Sequence, residues 1–160
     1  MAQLLHSNLI QTSPNRGGYS IPLSDDASNK KPEWNTLENQ KNVKKVKFYY
    51  PFIRIYPTNC YAWFQGFSEL ESVEGLVQLN TNKVKSMAYM FDGCTKLTSL
   101  DMSNFVISWT VTNMEQMFAN CSSVETLDLS HFLTENVTNM RAMFAGCSKL
   151  KSLDLFDLYG

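Results

Sequence analysis

The apolar positions of this chain recur with a long period as well as a short one. The segment Met87-Ala-Tyr-Met-Phe-Asp-Gly-Cys-Thr-Lys-Leu-Thr-Ser-Leu-Asp-Met returns, with the apolar character of positions 87, 90, 91, 94, 97, 100 and 102 kept, at Met114 and again at Met140. Met87 to Met114 is a step of 27 and Met114 to Met140 one of 26, the extra residue lying between Phe105 and Val111. A degenerate earlier copy holds the frame, because Trp63-Phe64-Gln65-Gly66-Phe67 stands where Met90-Phe91-Asp92-Gly93-Cys94 stands one unit later. About four units therefore fill residues 57–160, and such units bury their apolar faces only by stacking on one another.

Each unit carries two short periodicities. Val111, Met114, Met117, Phe118 and Cys121 fall at helical spacing. Thr112 followed by Glu115 reads as a capping box. Gly93, Asn120 and Gly146 share the register straight after it, where a left-handed residue would close a helix. Then comes Leu97-x-x-Leu100-x-Met102-x-x-Phe105, echoed by Val124, Leu127, Leu129 and Phe132 and by Leu150, Leu153, Leu155 and Leu158. That is the leucine-rich-repeat pattern of a short strand, with Phe105, Phe132 and Leu158 where asparagine usually stands. The predicted fold is an α/β repeat solenoid: a leucine-rich-repeat stack of one short helix and one short parallel strand per unit of about 26 residues, behind an N-terminal β cap. Its expected inner spine is Phe64, Phe91, Phe118 and Phe144, with Cys94, Cys121 and Cys147.

The flanks differ. Residues 1–33, rich in Ser, Asn, Pro and Gly from position 11 on, read as a polar arm or linker. Residues 34–56 read as the β cap, since Val46, Phe48 and Tyr50 alternate and Phe52 to Ile55 follow Pro51, with Trp34 and Leu37 packed against it. At the other end the chain stops at Leu155-Phe-Asp-Leu-Tyr-Gly160 just after a strand. Self-capping by Phe156 and Tyr159, self-association through the uncapped C-terminal end, and continuation of the natural chain all stay open.

Composition narrows the function classes. A formal net charge of −1 gives no field for nucleic acid or an acidic membrane, and no apolar run is long enough for a membrane span. The first residues lack the cationic and apolar regions of an export signal. With two histidines and no Cys-x-x-Cys, no metal set assembles, and no nucleophile–base pair or phosphate loop is apparent. The expectation is neither enzyme nor cofactor. Cys94, Cys121 and Cys147 read as free thiols of the inner face, although neighbouring coils could bring equivalent ones together.

Three outward aspartates, Asp101, Asp128 and Asp154, are the sharper candidates. Stacking would set them about 4.7–4.9 Å apart, an unfavourable column unless a cation, a basic partner or water offsets it. It reads either as a recognition stripe or weak Ca²⁺ site, or as a solvated face screened by the hydroxyls of Ser99, Thr126 and Ser152. Trp109, in the one longer link, is either a partner contact or a lid on the core edge, and Phe156 is a further contact candidate.

The block Val-Thr-Asn-Met-x-x-Met-Phe-x-x-Cys-Ser, at Val111 and again at Val137, resembles the BspA-type leucine-rich repeats of bacterial surface proteins. So does the entry sequence with Trp63-Phe64 and Val73-Glu-Gly-Leu76. The resemblance implies secretion or surface display and adhesion to host, matrix or other cells. The expected function is a non-catalytic protein-binding module of the surface-adhesion kind, extracellular or on the cell surface. The alternative is a structural or decoration subunit of a larger assembly, virion or cytoplasmic.

Overall fold

A computed structural model describes residues 2–5, 9–12, 30–48, 57–102, 105 and 107–154. Strands β1 (Ala2–Leu5), β2 (Leu9–Thr12), β3 (Lys45–Phe48), β4 (Ser72–Glu74) and β5 (Ser99–Leu100) form one sheet in that order. The β1–β2 pair is antiparallel and the rest parallel. A second, two-stranded parallel sheet joins β6 (Thr126–Asp128) to β7 (Ser152–Asp154). Valines and leucines at the strand centres point inward and the flanking residues outward, so Val73, Leu100 and Leu127 are buried between exposed or half-buried neighbours.

Successive units lie in parallel register. Bridges run from Asn59 to Ser86, from Ser86 to Asn113 and from Asn113 to Asn139. Phe64, Phe91, Phe118 and Phe144 stack in an offset column with centroids 5.5, 5.8 and 5.9 Å apart. Each such contact adds roughly 0.5–1.5 kcal/mol beyond the area it buries. Cys94, Cys121 and Cys147 form a neighbouring column in which each thiol donates to the carbonyl of the preceding coil's phenylalanine, Phe64, Phe91 and Phe118, at 3.1–3.2 Å.

The expected helix-and-strand solenoid is not what these units build. The one α-helix among the described residues is α1, Leu37–Asn42, outside the repeats. In its place every unit has a run of tight turns with two left-handed residues: Ala62 and Gly66, Tyr89 and Gly93, Gln116 and Asn120, Ala142 and Gly146. A left-handed residue four positions before the closing one breaks any α-helical turn. Amides at alternate residues leave the unit altogether. Met87, Tyr89, Phe91 and Gly93 donate to Asn113, Glu115, Met117 and Ala119 of the next coil, at 2.9 Å each. Met90, Asp92 and Cys94 close local turns three residues back. The capping box is absent too: Asn113 Oδ1 accepts from the Glu115 amide, while the Thr112 hydroxyl donates to the Lys85 carbonyl.

The N-terminal flank also differs from a plain β cap behind a linker. Residues 1–33 contribute β1 and β2, which extend the sheet past β3. Thr36 caps α1, its hydroxyl accepting from the Asn39 amide. Trp34 is buried against Trp63, edge to face at 5.4 Å, whereas Leu37 points to solvent. The part of the expected cap at 49–56 lies outside the described residues.

Candidate functional site

Two columns of polar residues follow the outward register positions of the strands. Ser72, Ser99, Thr126 and Ser152 form a hydroxyl column, in register within each ladder. Beside it Glu74 and Asp101 follow the paired positions of β4 and β5, and Asp128 and Asp154 are partners in β6 and β7. Acidic residues thus occupy this position in all four units, and Glu74 escaped the sequence reading because its unit is the degenerate one. Its signal was available: Glu74 stands one repeat step before Asp101.

The three aspartates do not make the single column expected of them. Asp128 and Asp154 share a ladder, whereas β5 and β6 belong to separate sheets among the described residues, so Asp101 groups with Glu74. The break falls between β5 and β6, the stretch of chain that carries the extra link residue. Asp128 accepts from both the hydroxyl and the amide of Ser130, at 2.6 and 3.0 Å. Those two bonds hold its carboxyl below the ordinary carboxylate range. Asp128 therefore fastens a turn while facing solvent.

Beside the five-stranded sheet the face deepens into a groove of about 590 Å³ between β4, β5 and the start of β6. Its rim carries Glu74, Asp101, Ser72, Ser99, Thr126 and the exposed Val77 of the 3₁₀ turn Leu76–Gln78. Gly75, at φ 75°, starts that turn, and a Cβ there would collide with the Phe48 carbonyl. Lys47 pairs with Glu74 at 3.0 Å and closes the acidic column at its N-terminal end. Further ion pairs bridge equivalent positions of adjacent coils: Glu69 with Lys96, Glu115 with Arg141, and Glu125 with Lys151.

Trp109 is 72 % exposed, in the register of Asn82 and Glu135, and so does not lie over the core edge. Phe156 lies outside the described residues. Burial pushes the thiols of Cys60 and Cys94 well up and that of Cys121 to about 12, with a smaller rise at half-buried Cys147. Thiols so placed stay protonated and act as small apolar groups and hydrogen-bond donors. No group of three or more His, Cys, Asp or Glu converges as a metal cage among the described residues, and no helix there is long and apolar enough to cross a membrane.

Comparison with known families replaces the resemblance to BspA-type repeats. The family model that matches is described as "Mycoplasma protein of unknown function, DUF285", and it covers residues 58–158, well over half of the chain. No curated protein and no solved structure matches.

Proposed function

The chain belongs to the Mycoplasma DUF285 family, and on that premise we propose that it is a non-catalytic protein-binding module whose contact surface is the outward strand face. The observation that supports this reading is the pairing of an acidic column with a hydroxyl column, opening into the groove edged by Glu74, Asp101 and Val77. An extended segment laid along such a face meets acceptors, hydroxyl donors and one apolar anchor at strand spacing. The partner's segment is basic, because a face of like charges is relieved by cations. Surface adhesion rested on the BspA resemblance and loses that support, so the reading is confined to binding.

Selection from a random peptide library displayed on phage tests it. Binders should be rich in Lys and Arg, and should be lost when Glu74, Asp101, Asp128 and Asp154 are all replaced by Ser. The melting point should fall modestly, because the bonds from Ser130 to Asp128 and the exposed pair of Lys47 with Glu74 are lost while the core is untouched. Binders that hold equally well to the fourfold variant would sink the reading.

A further inference from the structure

We propose that the C-terminal face of the repeat stack is a docking site for one further coil of this same repeat sequence. The proposal concerns a different surface from the strand face and does not depend on the function assigned there.

On the turn side the three interfaces between coils are built alike. Cys60, Ala62, Phe64 and Gly66 donate their amides to the second coil, Met87, Tyr89, Phe91 and Gly93 to the third, and Met114, Gln116, Phe118 and Asn120 to the fourth. The equivalent donors of the fourth coil are Met140, Ala142, Phe144 and Gly146. Among the described residues their amides have no partner, and all four residues are exposed or half-buried. Beside them Val137, Phe144, Cys147, Leu150 and Leu153 are only partly covered, where their counterparts in the third coil are buried. Phe144 stacks on Phe118 at 5.9 Å and is only half-buried. The face therefore presents donors at alternate residues around an apolar centre, three copies of which are satisfied within the chain.

The chemistry of the occupant follows. It must bring carbonyls at alternate residues and an aromatic ring in line with Phe144. A second copy meeting this face symmetrically brings donors to donors. A second copy arriving head to tail brings its first coil, where that side is already closed. There Trp34 Nε1 donates to the Trp63 carbonyl at 2.9 Å, and Asn35 Nδ2 donates to the Ala62 and Gln65 carbonyls at 2.6 and 3.1 Å. Gln40 holds Asn35 at 2.7 Å and lies against Gly66. What fits is a coil whose own leading carbonyls are bare.

Amide hydrogen exchange on the full chain tests this, with a synthetic peptide of the sequence of residues 107–136 as the probe. In the chain alone, Met140, Ala142, Phe144 and Gly146 should exchange rapidly at every protein concentration while Met114, Gln116, Phe118 and Asn120 are protected. Saturating peptide should slow the four by roughly tenfold or more, and a peptide carrying Phe118→Asp should not. Protection of the four in the chain alone, protection that grows with the chain's own concentration, or no slowing by the peptide would each overturn the proposal.

Discussion

Ala62, Tyr89, Gln116 and Ala142 adopt φ of 51–60° without being glycine, and this one backbone choice separates a turn column from a helix. The left-handed conformation costs a non-glycine residue about 1–2 kcal/mol, which the inter-coil amide bonds on either side must offset. Ala142 is exposed, so Ala142→Gly isolates the backbone. In a helix that change would lose about 1 kcal/mol. Here relief of the left-handed strain balances or exceeds glycine's entropy, and thermal melting should show an unchanged or higher midpoint. The buried thiols set a pH dependence of definite sign. An unfolded thiol ionises near pH 8.5, whereas folded Cys121 holds its proton to about 12. Stability from this group is complete below the first value and is lost as pH rises between the two, by up to about 1.4 kcal/mol per pH unit. Melting points measured from pH 8 to 10.5 should fall, and Cys121→Ala should flatten the fall.

At the scale of elements, the aromatic column is graded by its neighbours. Phe118 is buried between two rings and Phe144 has one. Phe118→Ala should cost about 3–5 kcal/mol and Phe144→Ala about half as much, in proportion to the apolar area each gives up; urea denaturation reads both. The repeat step and the alternation at Leu100 and Leu127 were legible in the sequence, because both are patterns of apolarity. The turn column was not. Val111, Met114, Met117, Phe118 and Cys121 satisfy a helical spacing, but the same residues face inward from a run of turns, so periodicity could not separate the two. Gly93, Asn120 and Gly146 gave a true signal of left-handed backbone. The second such position is filled by Ala, Tyr and Gln, which carry no mark of it. The candidate site was half legible for a related reason. The aspartates announced an outward acid per unit, but the parting of β5 from β6 and the bonds from Ser130 to Asp128 depend on three-dimensional contacts between non-equivalent positions.

Across the whole molecule the two ends of the stack are unequal. Trp34, Asn35 and Gln40 close the first coil, and this closure should be cooperative with the repeats. Asn35→Ala removes a donor from both Ala62 and Gln65; the Ala62 carbonyl keeps the Gln65 amide, while the Gln65 carbonyl loses its bond in a part-buried place, at a cost of roughly 1–3 kcal/mol. The loss should appear as one transition at lower denaturant, with circular dichroism and tryptophan fluorescence coincident; a separate early phase would show the cap folding independently. Within the turn runs twelve inter-coil bonds also share one sense, each N–H directed toward the following coil, and only the amides at the entrances, Lys85, Thr112, Thr138 and Asn139, point back. Peptide dipoles aligned in this way add, as they do along an α-helix. The turn side is therefore electrically polar along the stacking axis despite a formal net charge of −1 for the chain. Its positive pole lies over Met140 to Gly146, so a carboxylate or phosphate near that end lies in an attractive field that the backbone adds to the Arg141 guanidinium.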